Sequence, residues 1–315
     1  MADLIELIFL GTSASAPSID RGLSATMLLH RDQRFLIDCG EGTQRQLLLS
    51  GLGFKKLDKV LLTHGHLDHI LGLGGLVSTF ARWEALPNLT IYGGSWALDR
   101  VADLLGRVVF RGDEPEMQVT YQLVEPGPIW NSEHLSVTAF PVSHRGRGCY
   151  GYVFQEETKR PFLVEEAERL GVPAGPERRR LVSGERITLA DGRTIEPGMV
   201  LGEQVPGVKL VYVGDAGRTD DLLDVTRGAD ALVIEATYVD SEADMAARFG
   251  HLTARQAAEL AAAAGVGALY LTHVSRRYPA KVVQSEARQV FPAAVVVQDF
   301  DHVRVLADEK VEVKG

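Results

Sequence analysis

Short apolar runs that stop at a Gly, Asp or His recur along this chain and set its expected architecture. Leu4 to Leu10 alternates loosely and ends in the small-residue turn Gly11-Thr12-Ser13-Ala14-Ser15. Ala25 to His30 and Arg34 to Asp38 flank the turn Arg31-Asp32-Gln33 and are predicted as paired strands. Lys59 to Thr63, Leu89 to Tyr92, Val119 to Val124, Leu135 to Val142, Gly151 to Gln155, Lys209 to Val213, Ala231 to Glu235 and Ala268 to His273 carry the pattern of further short strands. Helical spacing is predicted for Thr43 to Ser50, for a stretch opening at Ile70, for Val77 to Glu84, for the amphipathic run Ala97 to Val109, and for Thr253 to Ala264. The last opens with Thr253 and Gln256, which fit a capping box. Strands alternating with helices predict an α/β fold.

Composition narrows the class. A chain of 315 residues holds one large α/β domain or two smaller ones. Hydrophobic residues make up 45% and charged residues 24%, as in ordinary globular proteins. No apolar run reaches the ~18 residues of a membrane span, so no membrane association is expected. The start, Met1-Ala2-Asp3-Leu4-Ile5-Glu6, has no basic region and does not read as a secretory signal. Cys39 and Cys149 are too few for a disulfide framework, and Cys39, after Phe35-Leu36-Ile37, is expected to pack in the core. The expected compartment is the cytoplasm. The net charge of −9, from 33 basic and 42 acidic residues, argues against a broad nucleic-acid surface but leaves room for a local basic patch.

The candidate chemistry centres on Thr63-His64-Gly65-His66-Leu67-Asp68-His69, which follows an apolar strand and precedes a helix. Neutral imidazole and ionised carboxylate bind zinc at neutral pH, and a tight turn can present several of them to one point. The bland alternative is a polar loop that happens to be rich in histidine. Three more strand ends carry such groups: Val142-Ser143-His144, Val213-Gly214-Asp215 and Leu271-Thr272-His273. Strand ends are where α/β proteins place their sites. Each alone is weak, but together they point to a converging metal site. Asp38 reads equally as a turn residue or as the hydrogen-bond partner of a metal ligand. His251 precedes the helix cap and could be exposed and idle. Glu235 could be a buried carboxylate or a loop acid.

The pattern His64-x-His66-x-Asp68-His69, followed in order by His144, Asp215 and His273, resembles the metallo-β-lactamase superfamily. Within it, the chain is similar over essentially its full length to the ribonuclease Z family, endonucleases that trim tRNA precursors at the 3′ end. The supporting motifs are Phe9-Leu10-Gly11-Thr12, Asp38-Cys39-Gly40-Glu41-Gly42-Thr43-Gln44, His251-Leu252-Thr253-Ala254 and Leu271-Thr272-His273-Val274-Ser275-Arg276-Arg277-Tyr278. The chain departs from the family pattern at Leu67, where Gly is usual, and at Ala216, where Thr is usual. It also departs at Ile19 and Gly22, in a loop that otherwise resembles Pro-x-Lys-x-Arg-Asn. That loop is associated with where the cut falls relative to a 3′ CCA end, so the cleavage position stays open.

The resemblance implies a four-layer αββα sandwich with an inserted arm. It implies two zinc ions per chain, with manganese or iron compatible with the same ligands. His64, His66 and His144 would hold one ion and Asp68, His69 and His273 the other, with Asp215 bridging. Phosphodiester hydrolysis itself needs an acceptor for the water's proton, for which Asp68 is the candidate, and a donor to the leaving 3′-oxygen, for which His251, oriented by Glu235, is the candidate. Ser275 and Arg277 are candidates to bind the phosphate. Residues 156–207 do not fit the sandwich. They hold the helix-like Leu163 to Leu170, the run Glu177-Arg178-Arg179-Arg180-Leu181 and a hairpin around Asp191-Gly192. A structureless loop that long is improbable, and the segment resembles the arm with which the family grips tRNA. Arg178, Arg179 and Arg180 are expected to be exposed and to contact phosphates. The other readings of the arm are a surface insertion or a dimer contact. The expected partner is a tRNA precursor. A homodimer is also expected, since one chain's arm could hold the tRNA while the other chain cuts. Two other functions stay open: a small-molecule phosphodiesterase or other hydrolase of the same fold, and a non-catalytic metal-dependent module.

Overall fold

The computed structural model describes residues 4–83, 86–112, 116–306 and 313–314. Its larger unit comprises residues 1–155 and 208–315. Among the described residues this unit holds two mixed sheets. One has eight strands, in the order Val313–Lys314, His302–Val305, Ile5–Gly11, Ala25–His30, Gln33–Ile37, Lys59–Leu61, Asn88–Gly93, Gln118–Leu123. The other has seven, in the order Val295–Val296, Ala268–Thr272, Ala231–Glu235, Lys209–Tyr212, Tyr150–Glu156, Leu135–Pro141, Gly127–Asn131.

The two-residue alternation of each strand explains the layering. In the first strand, Ile5, Leu7 and Phe9 join a core with Tyr152, Phe154, Leu210, Val233 and Tyr270 of the other sheet, so the two inner faces pack on each other. The alternate residues Ile8 and Leu10 face outward. They meet Leu73, Val77 and Phe80 of the helix Leu73–Trp83, Leu98 and Val101 of the helix Ser95–Asp103, and Leu47. On the second sheet, Leu232 and Ile234 turn outward against Ala257, Ala258 and Ala261 of the helix Ala254–Ala264 and Val283 of the helix Ala280–Arg288. Helix, sheet, sheet and helix therefore stack around three apolar layers, which is the expected αββα sandwich. The parallel pairs Leu36↔Val60, Val60↔Ile91, Leu210↔Ala231 and Val233↔Tyr270 bring several C-terminal strand ends to one edge.

Several expectations shift. The run Ala97 to Val109 forms the α-helix Ser95–Asp103 and then widens into π-helical turns at Leu104–Phe110. The helix expected over Val77 to Glu84 begins earlier, at Leu73, and Glu84 lies outside the described residues. The edge strand Gly127–Asn131 was not expected. Gly127 and Pro128 hide it in sequence, and Pro is tolerated there because an edge strand has an unpaired side.

Residues Glu156–Gly207 form a compact unit of their own. It enters and leaves as an antiparallel pair, with Lys159 opposite Val205 and Phe162 opposite Leu201. Arg160 donates from Nε to the Gly202 carbonyl (2.8 Å) and from Nη2 to the Leu201 carbonyl (3.0 Å). The helices Val164–Arg169 and Pro176–Val182 and the hairpin Ile187–Thr188/Thr194–Ile195 bury Ala167, Val172, Leu181, Ile187, Ile195 and Val200. Gly192 turns that hairpin at φ 87°, a conformation open to Gly. The expectation of three exposed arginines is corrected at one position. Arg178 is part-buried over the Phe162 ring, donates from Nη2 to the Val172 carbonyl (3.2 Å) and faces Glu168 at 3.6 Å. Its guanidinium lies over the edge of this small core. Arg179 and Arg180 are exposed, Arg180 paired with Glu185 at 3.0 Å.

Candidate metal centre

Five strand ends deliver the site. His64 follows Lys59–Leu61, His144 follows Leu135–Pro141, Asp215 follows Lys209–Tyr212, Glu235 ends Ala231–Glu235, and His273 follows Ala268–Thr272. The short helix Leu67–Ile70 carries Asp68 and His69. Gly214 takes φ 75°, and a Cβ there would lie 2.9 Å from the Thr63 side chain, so only Gly lets the Asp215 turn approach the histidine turn. His273 and Asp38 adopt φ 53° and 57°, a region that non-Gly residues occupy where surroundings hold them.

The hydrogen bonds behind the histidines fix which nitrogen faces the centre. Asp38 accepts at Oδ1 from the Thr63 backbone (2.7 Å), and at Oδ2 from the Thr63 hydroxyl (2.7 Å) and from His69 Nδ1 (2.8 Å). With its proton committed to Asp38, the Thr63 hydroxyl accepts from His64 Nδ1 at 3.0 Å. His144 Nδ1 donates to the Gly250 carbonyl (2.7 Å). The Thr237 hydroxyl donates to Glu235 Oε2 and accepts from His273 Nδ1 (2.9 Å). A neutral imidazole that donates from Nδ1 has a bare lone pair at Nε2. The Nε2 atoms of His64, His69, His144 and His273 lie 3.4–3.8 Å from Asp215 Oδ2. His66 turns Nδ1 to within 2.8 Å of His64 Nε2 and 3.2 Å of His144 Nε2. Asp68 Oδ2 accepts from the Ser15 backbone at 2.9 Å and lies 3.4 Å from His273 Nε2.

Lone pairs turned on one another repel unless a cation sits among them, and Asp215 Oδ1 is buried with no hydrogen-bond partner. Burial lowers the pKa of His64 well below the ordinary value and that of His66 to about 4, and it also lowers that of His144, so these rings are neutral donors near pH 7. Burial would raise the Asp68 and Asp215 carboxyls. His273 and His69 outweigh it and hold both well below the usual range, so both are ionised. Burial likewise opposes charge on His69, but Asp215 and Asp38 raise its pKa well above the ordinary value; positive charge is wanted at that point. The donor groups His64/His66/His144 and Asp68/His69/His273 each bring their ligand atoms within 4.8 Å of one another, with Asp215 adjoining both. The arrangement fits divalent metal ions.

Family profiles described as metallo-beta-lactamase superfamily and beta-lactamase superfamily domain match residues 19–81 and 179–274. A ribonuclease Z of Bradyrhizobium diazoefficiens is 44% identical over 302 residues, covering 96% of this chain and all of that protein. The chain belongs to the ribonuclease Z family. A ribonuclease BN of Escherichia coli is 40% identical, covering 94% of this chain and 98% of its own. In fold, this ribonuclease Z family member is similar to the short form of human tRNase Z, with TM-score 0.67, 24% identity and coverage of 95% and 99% of the two chains. It is also similar to the metallo-β-lactamase fold protein YhfI of Bacillus subtilis, with TM-score 0.68 and 18% identity.

Not every expected site residue of this ribonuclease Z family member reaches the centre. His251 is not idle: its side chain is 12% exposed, and Nδ1 donates to Glu235 Oε1 (2.9 Å), itself fully buried. The Ala216 backbone also donates to Glu235 Oε1, at 2.7 Å. Burial opposes charge on His251, but the Glu235 carboxylate raises its pKa to about 9. Ser275 and Arg277 follow His273 but do not line the cavity over the centre. Arg277 is turned to Glu242 Oε2 at 3.3 Å, which occupies its charge. That cavity, about 540 Å³, is lined by His66, Asp68, Asp215 and His251, and also by residues the sequence did not single out: Ser15, Arg100, Arg145, Tyr238 and Phe249, besides Leu67. Cys39 is fully buried, and burial pushes its thiol up to about 12, so it is a packing residue.

Proposed function

We infer that this chain is an endoribonuclease that hydrolyses one phosphodiester at the 3′ end of tRNA precursors and releases the 3′ trailer. The observation that carries the chemistry is the His251–Glu235 pair set beside the convergent His/Asp cluster on one cavity wall. We propose that two zinc ions occupy the cluster, one held by His64, His66 and His144, the other by Asp68, His69 and His273, with Asp215 shared. Bound there, divalent ions supply Lewis acidity toward phosphate oxygens and make water acidic enough to attack at neutral pH.

The chain's own residues do the rest. Asp68 borders the cavity and is ionised, so it can take the proton of the attacking water. The Ser15 amide holds its Oδ2 in place. Water oxygen bonds to phosphorus as the bond to the ribose 3′-oxygen breaks on the opposite side. That departing oxygen needs a proton. His251 carries one at neutral pH, and Glu235 fixes its ring through Nδ1 so that Nε2 is the donating atom. The arm of residues 156–207 would grip the tRNA away from the cut. A homodimer acting in the cytoplasm completes the reading.

Product mapping on an unprocessed tRNA tests this function. A single cut leaving a 3′-hydroxyl on the tRNA supports it. Hydrolysis of a bis-aryl phosphodiester with no cut in the tRNA precursor makes the small-molecule hydrolase the better reading. Seven candidate ligands exceed the three or four of one zinc site, so the metal content is expected to be two ions per chain. One ion per chain at saturating zinc would rule out the dinuclear centre.

His251→Ala is expected to keep both ions and to lose rate on tRNA precursors by roughly 10²-fold or more, the scale for general-acid removal. The loss should shrink on an aryl phosphodiester, whose leaving group needs no proton. Equal losses on both substrates would assign His251 to phosphate binding instead.

A further inference from the structure

In-line hydrolysis fixes which part of the RNA lies beside His251. The attacking water and the departing 3′-oxygen stand on opposite sides of the phosphorus. The nucleoside on the His251 side is therefore the one whose 3′-oxygen leaves, the last nucleoside of the product tRNA. Three further side chains line the same cavity as His251, and nothing in the chemistry above uses them.

Phe249 ends the helix Ala243–Phe249 two residues before His251 and is 37% exposed, a large apolar ring open at the cavity. The Tyr238 ring stands 6.1 Å from the His251 ring at 45°. Its backbone is locked on both sides, donating to the Leu252 carbonyl (3.1 Å) and accepting from the Ala254 amide (2.9 Å). Tyr238 thus stands beside His251 on a rigid support, and Phe249 borders the same cavity. Arg145 completes the group. Its stem lies across Gly250: that residue takes φ 70°, and a Cβ there would fall 2.8 Å from Arg145 Cγ. Its guanidinium stands 5.9 Å from the centre of the Phe249 ring and makes no ion pair among the described residues. An arginine left without a carboxylate, in a chain of net charge −9 and at a phosphodiester-cleaving cavity, has an anion as its natural partner.

We propose that Phe249, Tyr238 and Arg145 form the subsite for the leaving nucleoside: the rings stack on its base, and the guanidinium holds a neighbouring phosphate. The assignment rests on the endoribonuclease reading given above. Stacking tolerates any base, because every base has a π-face. The subsite therefore fixes the position of the terminal nucleoside without selecting its identity.

The test is a two-by-two comparison of the metal-loaded enzyme. Wild type and Phe249→Leu are each given a tRNA precursor that is either intact or abasic at the nucleotide 5′ to the cut. On the intact substrate Phe249→Leu is expected to raise KM about tenfold, the scale of one lost base–aromatic stack. For wild type the abasic precursor is expected to raise KM about as much. The two changes together should do little more than either alone, because both remove the same contact. Multiplying losses would overturn the proposal, as would an abasic precursor cut as well as the intact one. Tyr238→Leu, run through the same comparison, keeps the test decisive if Phe249→Leu loses metal. Arg145→Ala should lower the salt slope of precursor binding by about one phosphate contact and Arg145→Lys should restore it; an unchanged slope in Arg145→Ala removes Arg145 from the subsite. Failure of wild type to cut the intact precursor is a separate outcome that overturns the endoribonuclease reading beneath it.

Discussion

Asp68→Ala is expected to lower turnover of a tRNA precursor by at least ~10²-fold, the scale of losing a general base, and by more where metal is lost too. The carboxylate stands where both effects meet. Oδ2 is 3.4 Å from His273 Nε2 and 3.8 Å from His69 Nε2, within the candidate donor group, while the side chain remains 16% exposed to the cavity. Removal also frees the Ser15 amide, which lies in the left-handed region at φ 58° and has Asp68 as its partner. Asp68→Asn separates the roles. It keeps the shape and a metal-facing oxygen but cannot take a proton, so a metal-replete Asp68→Asn should remain ~10²-fold slow. RNA affinity should survive both substitutions, because no RNA-gripping residue is changed. Single-turnover rates on loaded protein, with metal content measured on the same sample, decide the matter. Near-normal turnover at full loading would show that the proton goes elsewhere.

Four candidate ligands, His64, His144, Asp215 and His273, were legible because each follows an apolar strand, and strand alternation and strand-end chemistry are local signals. What fixes them was not. Asp38 read equally as a turn residue and as a ligand's partner, and it is both: φ 57° turns the chain, and the same residue accepts from His69. Thr237 and the Gly250 carbonyl set the tautomers of His273 and His144, yet they lie 36 and 106 residues away, and a backbone carbonyl has no sequence signature. The cavity wall was missed for the same reason. Arg145, Phe249 and Tyr238 come from separate segments and look like ordinary surface residues one at a time. Arg277, close after His273 in sequence, is turned toward Glu242, a partner that sequence proximity does not reveal. Arg178 looks like the first of three equal cations until the small core beneath it, with Phe162 and Val172, shows where its guanidinium is engaged.

That distinction shapes what is expected of the arm. None of the candidate ligands lies within residues 156–207, and Phe162 and Leu201 face each other as bridge partners at its neck. Replacing 163–200 by a short Gly/Ser turn therefore closes an antiparallel pair that already exists, the geometry in which short loops are tolerated. Metal content and the rate on a small phosphodiester should stay within about twofold, since shortening the loop lowers its closure cost, by ~2 kcal/mol, and does not weaken the fold that carries the site. Processing of tRNA precursors should fall by roughly 10²-fold, mostly through KM, if the arm supplies a few phosphate contacts. Charge reversal then splits the arginines. Arg179→Glu with Arg180→Glu should reproduce part of the loss and lower the salt slope of binding by about two contacts. Arg178→Glu should instead destabilise the arm, because it removes the donor to the Val172 carbonyl and places an acid beside Glu168. Proteolysis within 163–200 would report that change before any effect on chemistry. A stable deletion that processes tRNA precursors at the normal rate would leave the arm without a role in RNA binding.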